Sequence, residues 1–117
     1  MSKNQASTAS TAENLLPLTH IVYHVLLSIS DGDKHGYAII KDLAARTDGR
    51  FELEAGTLYA AIKRMRDEEL IAEVPAPEGS DSRRRCYAIT DFGREVLSLE
   101  SRRLQAMVEL AREARVL

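Results

Sequence analysis

Glu54-Ala55-Gly56-Thr57-Leu58-Tyr59-Ala60-Ala61-Ile62-Lys63-Arg64-Met65-Arg66-Asp67-Glu68-Glu69-Leu70-Ile71 is the stretch that decides the fold of this chain. Leu58, Ile62, Met65 and Glu69 fall at i, i+4, i+7 and i+11 with Ala61 beside them, so residues 55–69 read as a helix with a nearly complete buried stripe. Thr57, Ala60, Lys63 and Arg64 lie away from that stripe, and Tyr59, Lys63 and Arg66 share its flank. Gly56 opens the helix at a point where the backbone is expected to come close to something. A small, hydroxylated start and a basic middle suit insertion into the DNA major groove.

Working outward, Pro17-Leu18-Thr19 begins an apolar helix through Ile21, Val22, Val25, Leu26, Leu27 and Ile29, with Pro17 suited to a first helical turn. Residues 31–34 read as a turn. A second helix is expected over 36–46, with Tyr37, Ile40, Leu43 and Ala44 as its apolar face, and 47–50 break it. After the third helix, 71–74 form a short strand, and 75–82, rich in Pro, Gly, Ser and Asp, form a hairpin loop. Arg85, Tyr87 and Ile89 alternate with Arg84, Cys86 and Ala88 in a return strand. Thr90 caps a long final helix running nearly to Leu117.

Three helices, a hairpin and a closing helix make a winged helix-turn-helix, mainly α with a small β-hairpin, plus a long C-terminal dimerisation helix. The expected division is an unstructured arm over 1–14, a DNA-binding domain over 15–91 and a dimerisation helix over 92–117.

The bulk charge opposes this reading. The 117 residues carry a formal net charge of −2 and a pI near 5.9. DNA, however, responds to the local patch, since charges are screened beyond about 8 Å at physiological salt. Lys63, Arg64 and Arg66 form one basic cluster and Arg83, Arg84 and Arg85 a second, at the two places where a winged helix meets DNA. A winged-helix module that binds protein instead of DNA is the alternative reading, and would not need both clusters. The single cysteine excludes an internal disulfide and any CxxC metal box. No long apolar run or signal pattern occurs, and a cytoplasmic location is expected. No phosphate loop, nucleophile motif or carboxylate cluster suggests an enzyme.

The chain resembles the PadR-like transcriptional regulators at Lys34-His35-Gly36-Tyr37, at Gly56-Thr57-Leu58-Tyr59 with Ile62-Lys63-Arg64-Met65, and at Leu70-Ile71. Arg84-Arg85-Cys86-Tyr87 and Ile89-Thr90-Asp91-Phe92-Gly93 continue the match in register. The resemblance spans residues 15 to 95 and implies a dimeric repressor binding an inverted repeat of double-stranded DNA. It also implies a short form with one C-terminal helix.

The DNA-contact candidates are Thr57, Tyr59, Lys63 and Arg64 on the third helix, with Arg83 and Arg84 on the wing 75–85. Thr57 serves either as helix cap or as phosphate contact, and the family pattern brings the Tyr59 hydroxyl to DNA. Arg66 is expected to pair with an acid on its own helix, Arg85 to pack inward beside Tyr87, and Gly36 and Tyr37 to serve packing.

In the final helix Leu97, Leu104, Val108 and Ala111 form one stripe, and Met107, Leu110, Ala114 and Leu117 another. Two seams exceed what one domain covers, so Leu97, Leu104, Met107, Val108, Leu110, Ala111 and Ala114 are the dimerisation set. A symmetric dimer sets two recognition helices about 34 Å apart, matching a pseudo-palindrome. The resemblance implies a small-molecule effector site at or near the dimer interface, but with no tryptophan an aromatic-stacking pocket is not the expected style of it here. No cofactor or metal is expected: His20 and His24 are an i, i+4 pair without a third ligand, Cys86 stands alone as a redox candidate, and His35 is read as a helix cap.

Overall fold

The computed structural model describes residues 12–77, 79 and 85–117. Its elements run α1 (His20–Ile29), β1 (Lys34–His35), α2 (Gly36–Arg46), α3 (Ala55–Asp67), β2 (Ile71–Val74), β3 (Cys86–Ile89) and α4 (Asp91–Glu113). This is the mainly helical winged helix-turn-helix with a C-terminal helix that the sequence predicts.

Helix α1 starts later than the position of Pro17 suggests. Thr19 is its N-cap, its hydroxyl accepting from Val22 N at 3.2 Å. Val22, Val25, Leu26 and Ile29 face inward at helical spacing and meet Ile39 and Leu43 of α2, Leu58, Ile62 and Met65 of α3, and Val96 and Leu97 of α4. Each such fully buried side chain contributes about 1.5–3 kcal/mol relative to exposure. Residues 12–14, expected to belong to the arm over 1–14, are instead helical, and Ala12 is buried in the core; residues 1–11 lie outside the described residues.

Two expectations for α2 and the sheet are corrected. The buried face of α2 is Gly36, Ile39 and Leu43, whereas Tyr37 is 60% exposed, its ring 5.2 Å from Lys41 Nζ. The expected turn at 31–34 ends in a third strand: β1 pairs with β3 (Lys34 opposite Tyr87, His35 opposite Cys86), giving the order β1-β3-β2. The β2–β3 ladder runs from Ile71 opposite Ile89 to Val74 opposite Cys86.

A polar network pins the corner between α1, β1 and α2. Buried Ser28 donates to Asp42 at 2.7 Å, Arg46 donates to Asp42 at 2.8 Å and to Asp31 at 3.1 Å, and Lys34 donates to Asp31 at 2.7 Å and to the Ser28 carbonyl. Burial works against the charged form of Asp42, but the bonds from Ser28 and Arg46 outweigh it and hold its carboxyl below the usual value. At the opposite side, buried Glu100 of α4 accepts from Leu18 N at 2.7 Å and from Arg103. The Arg103 bond, acting against burial, lowers its pKa. Tyr23 and Ser101 hydroxyls meet at 2.8 Å, so α4 is tied to both the start and the body of α1.

Helices α2, α3 and α4 end alike. Asp48, Glu69 and Arg115 adopt left-handed backbones with φ of 53°, 62° and 61°. After α3, Leu70 N donates to Met65 O at 2.9 Å and Glu69 N to Arg66 O at 3.0 Å, a Schellman motif with buried Leu70 over buried Met65. Glu69, expected on the buried stripe, is therefore outside the helix and exposed. Beyond it, Thr90 donates to Glu69 O at 2.7 Å and accepts from Gly93 N at 2.9 Å, capping α4. A Cβ at Gly93 would stand 2.1 Å from Leu70 O, so only glycine lets α4 start against the entry to the wing.

Candidate nucleic-acid interface

Helix α3 buries Leu58, Ile62 and Met65 and leaves the opposite ridge, Gly56, Ala60, Lys63 and Asp67, exposed. The first two positions of that ridge are small, so the backbone of α3 can approach a groove closely before the longer side chains reach out. Among the described residues, and apart from its chain neighbours and the backbone of its own helix, nothing lies within 4 Å of a Cβ placed at Gly56. The described residues therefore do not make the close approach expected there.

Thr57 is exposed and does not cap α3. The N-cap is Glu54, whose side chain makes no capping bond. Tyr59 is 49% exposed, and its phenol lies over the start of α2, where a Cβ at Gly36 would sit 2.4 Å from the hydroxyl. Gly36 therefore joins the helix-turn-helix pair by close packing, and His35 caps α2 by accepting from Ala38 N at 3.1 Å.

The cations of α3 all carry partners from the same chain. Lys63 meets Asp67 at 3.2 Å and Arg64 meets Glu68 at 3.6 Å, both i, i+4 pairs. Arg64 and Glu68 also flank a cleft closed by residues 14–19. Arg66 reaches Glu73 on β2 at 3.5 Å instead of an acid on its own helix, because β2 runs beside that flank of α3. Exposed i, i+4 pairs are worth only about 0.3–0.5 kcal/mol and exchange readily for other anions.

At the wing, Arg83 and Arg84 lie outside the described residues. Arg85, expected to pack inward, points outward: β3 begins only at Cys86, so Arg85 escapes the strand's alternation, and its guanidinium grips Glu73 at 2.6 Å. Glu73 stands opposite Tyr87 in the sheet. Burial raises the Tyr87 pKa first of all, with Tyr59 and Glu73 acting in the same direction. Tyr59, Arg66, Glu73, Arg85 and Tyr87 thus form one cluster where α3 meets the β2–β3 hairpin. Sequence reading overlooked Glu73, whose role follows from strand register and carries no local signal.

The remaining candidates are elsewhere. His20 and His24 stand with ring centroids 6.3 Å apart and line an open cleft of about 450 Å³ with Arg46, Asp48, Arg50 and Phe51. Burial, then His20, lowers the His24 pKa. Among the described residues no group of three or more metal-ligating side chains occurs, and no helix is long and apolar enough to cross a membrane. Cys86 is buried.

The dimerisation candidates divide. Leu97, one of the expected contacts, packs in the chain's own core instead, because α4 up to Glu100 lies against α1. Leu104 and Ala111 are half-buried, while Ala114, Met107 (53%), Val108 (40%) and Leu110 (63%) are exposed.

A family model, that of the transcriptional regulator PadR-like family, matches residues 25–99, from the middle of α1 through the first third of α4. This chain belongs to the PadR-like family. The PadR-like match takes in α2, α3, the wing and the start of α4, the elements that carry the interface, and the family is one of regulators, not of enzymes. An uncharacterized protein X of Lysinibacillus sphaericus is 30% identical over 79 residues, covering 68% of this chain and 72% of that one. A PadR family transcription regulator from Clostridium difficile superposes with a TM-score of 0.70 at 27% identity, covering 81% of this chain and 97% of its own. Bacillus subtilis PadR in complex with operator DNA shares the fold with a TM-score of 0.61 at 22% identity, covering 70% of this chain and 46% of that chain.

Proposed function

We propose that this PadR-like regulator is a homodimeric transcriptional repressor that binds a pseudo-palindromic operator. Helix α3 enters the major groove, Thr57, Tyr59, Lys63 and Arg64 contact the DNA, and the wing over 75–85 holds the backbone through Arg83 and Arg84. The observation that carries this reading is the exposed ridge of α3, small at Gly56 and Ala60 and cationic at Lys63. It sits on a helix-turn-helix of a family in which one member has been seen with operator DNA.

The dimer rests on Met107, Val108 and Leu110, with Leu104, Ala111 and Ala114 beside them. An exposed apolar stripe on the free half of a long helix is the kind of surface a second copy covers. Two copies joined there present two recognition helices about one DNA turn, roughly 34 Å, apart.

Selection of bound sequences from a random duplex pool, followed by titration of the winner at two salt concentrations, tests this. An inverted repeat with half-sites one turn apart is the expected product. Absence of enrichment, with weak and purely salt-driven binding, would instead favour a winged helix that serves a protein partner.

A further inference from the structure

The formal charge of −2 leaves a question that the ion pairs answer. Lys63, Arg64, Arg66 and Arg85 all lie on the recognition helix or at the base of the wing, and each is held by a carboxylate of the same chain. The pairs are not equal. Asp67 and Glu68 hold one cation each in i, i+4 pairs at 3.2 and 3.6 Å, the first with both partners exposed. Glu73 holds two, one from α3 and one from the wing, and does so from a strand whose backbone is fixed by the β2–β3 ladder. Both of its oxygens lie within 3.1 Å of one Arg85 nitrogen, and its side chain is only 24% exposed.

Resting on the DNA-binding reading above, we propose that Glu73 is a specificity-determining residue that withholds Arg66 and Arg85 from DNA phosphates. Affinity for DNA of any sequence grows with the number of phosphates neutralised. Each added cation steepens the dependence of log K on log salt by about 0.9 and, near physiological salt, raises affinity by roughly fivefold. A cation already shared with Glu73 gives little of this. The carboxylate itself, standing between recognition helix and wing, repels the backbone wherever base contacts do not draw the helix in. An operator supplies those contacts through other residues of α3, and random DNA does not. Glu73 therefore lowers nonspecific binding more than specific binding and widens the ratio that decides occupancy in a genome.

Glu73→Gln tests this, since it keeps the side-chain shape and removes the charge. Binding of wild type and variant to a duplex of about 20 base pairs with no selected sequence would be titrated across salt, with the selected operator alongside. The variant is expected to bind the nonspecific duplex roughly five- to thirtyfold more tightly, with a slope steeper by about one to two units, while operator affinity rises less. Adding Arg85→Gln should cancel about half of the steepening. Glu73→Asp, too short to hold both arginines, should give an intermediate gain and serves if the Gln variant fails to fold. An unchanged slope, or equal weakening on both duplexes, would overturn the proposal and make Glu73 a structural strut. If no inverted repeat is recovered by selection but the Gln variant still gains on the random duplex, the operator reading and the specificity role fall together, and only the withholding of Arg66 and Arg85 from phosphates stands. If neither protein binds any duplex, both fall.

Discussion

Helices α3 and α4 are built on the same plan up to the core and diverge beyond it. Both bury a stripe at helical spacing: Leu58, Ile62 and Met65 in one, Gly93, Val96, Leu97 and Glu100 in the other. Their uncovered surfaces differ in kind. That of α3 is small and charged, with each cation already paired. That of α4 sets Met107, Val108 and Leu110 in water among charged residues such as Arg102, Glu109 and Arg112. On the function proposed above, the charged ridge meets a polyanion that takes over its ion pairs, and the apolar stripe meets a surface like itself. The inward faces determine the fold, and the proposed partners follow from the outward ones.

The largest break in that contrast comes from charging the apolar stripe. The double variant Met107→Glu, Leu110→Glu should convert dimer to monomer in sedimentation. It should also lower operator affinity by roughly two orders of magnitude or more, because the second half-site loses its effective concentration. Folding should survive, since both side chains are exposed. An intact dimer would assign the stripe another role.

Two buried positions separate the fold from either partner face. Gly93→Ala places a methyl against the Leu70 carbonyl and should cost about 3 kcal/mol in denaturant unfolding, without changing oligomeric state. Glu100→Gln should cost about 2 kcal/mol by weakening the bonds from Leu18 N and Arg103. Its pH dependence has a definite sign. The folded carboxyl is held below its ordinary value, so its contribution is complete above about pH 4.3 and is lost as pH falls through the lower folded pKa. The Gln variant should show a shallower acid limb in a stability–pH series.

On the α3 side, Tyr59→Phe should weaken operator binding by about 1–3 kcal/mol, since the exposed phenol is free to donate beyond its contact with Gly36. Unchanged affinity would return Tyr59 to packing alone. Lys63→Ala should act alike on all sequences and lower the salt slope by roughly one unit. The smallest effect concerns neither face: Glu69→Gly, relieving a left-handed backbone at the end of α3, should stabilise the fold by about 0.5–1 kcal/mol in thermal unfolding.

What could be read from the sequence follows the length of each pattern. The stripe of α3 spans two turns and admits one buried face, and Thr90 announces α4 by its side chain, so both were legible. The face of α2 was misjudged because Tyr37 and Ile40 form as good a stripe as Gly36, Ile39 and Leu43. Burial of Ile39 and Leu43 in the core, with the phenol of Tyr59 over Gly36, decides between them. Strand β1 has two residues, too few for alternation, and exists because β3 offers an edge. The ends of α2, α3 and α4 lack the expected glycine at the left-handed position, where Asp48, Glu69 and Arg115 stand instead. Of the candidate interface, the cations and the i, i+4 acids Asp67 and Glu68 are local in the sequence, whereas Glu73 meets Arg66 and Arg85 only through sheet register.

Whether α4 holds two α3 helices at a fixed distance is decided by moving the half-sites of the selected operator apart by half a turn, about five base pairs. Affinity should collapse to that of a single half-site. Undiminished binding to the respaced operator would rule out the fixed spacing.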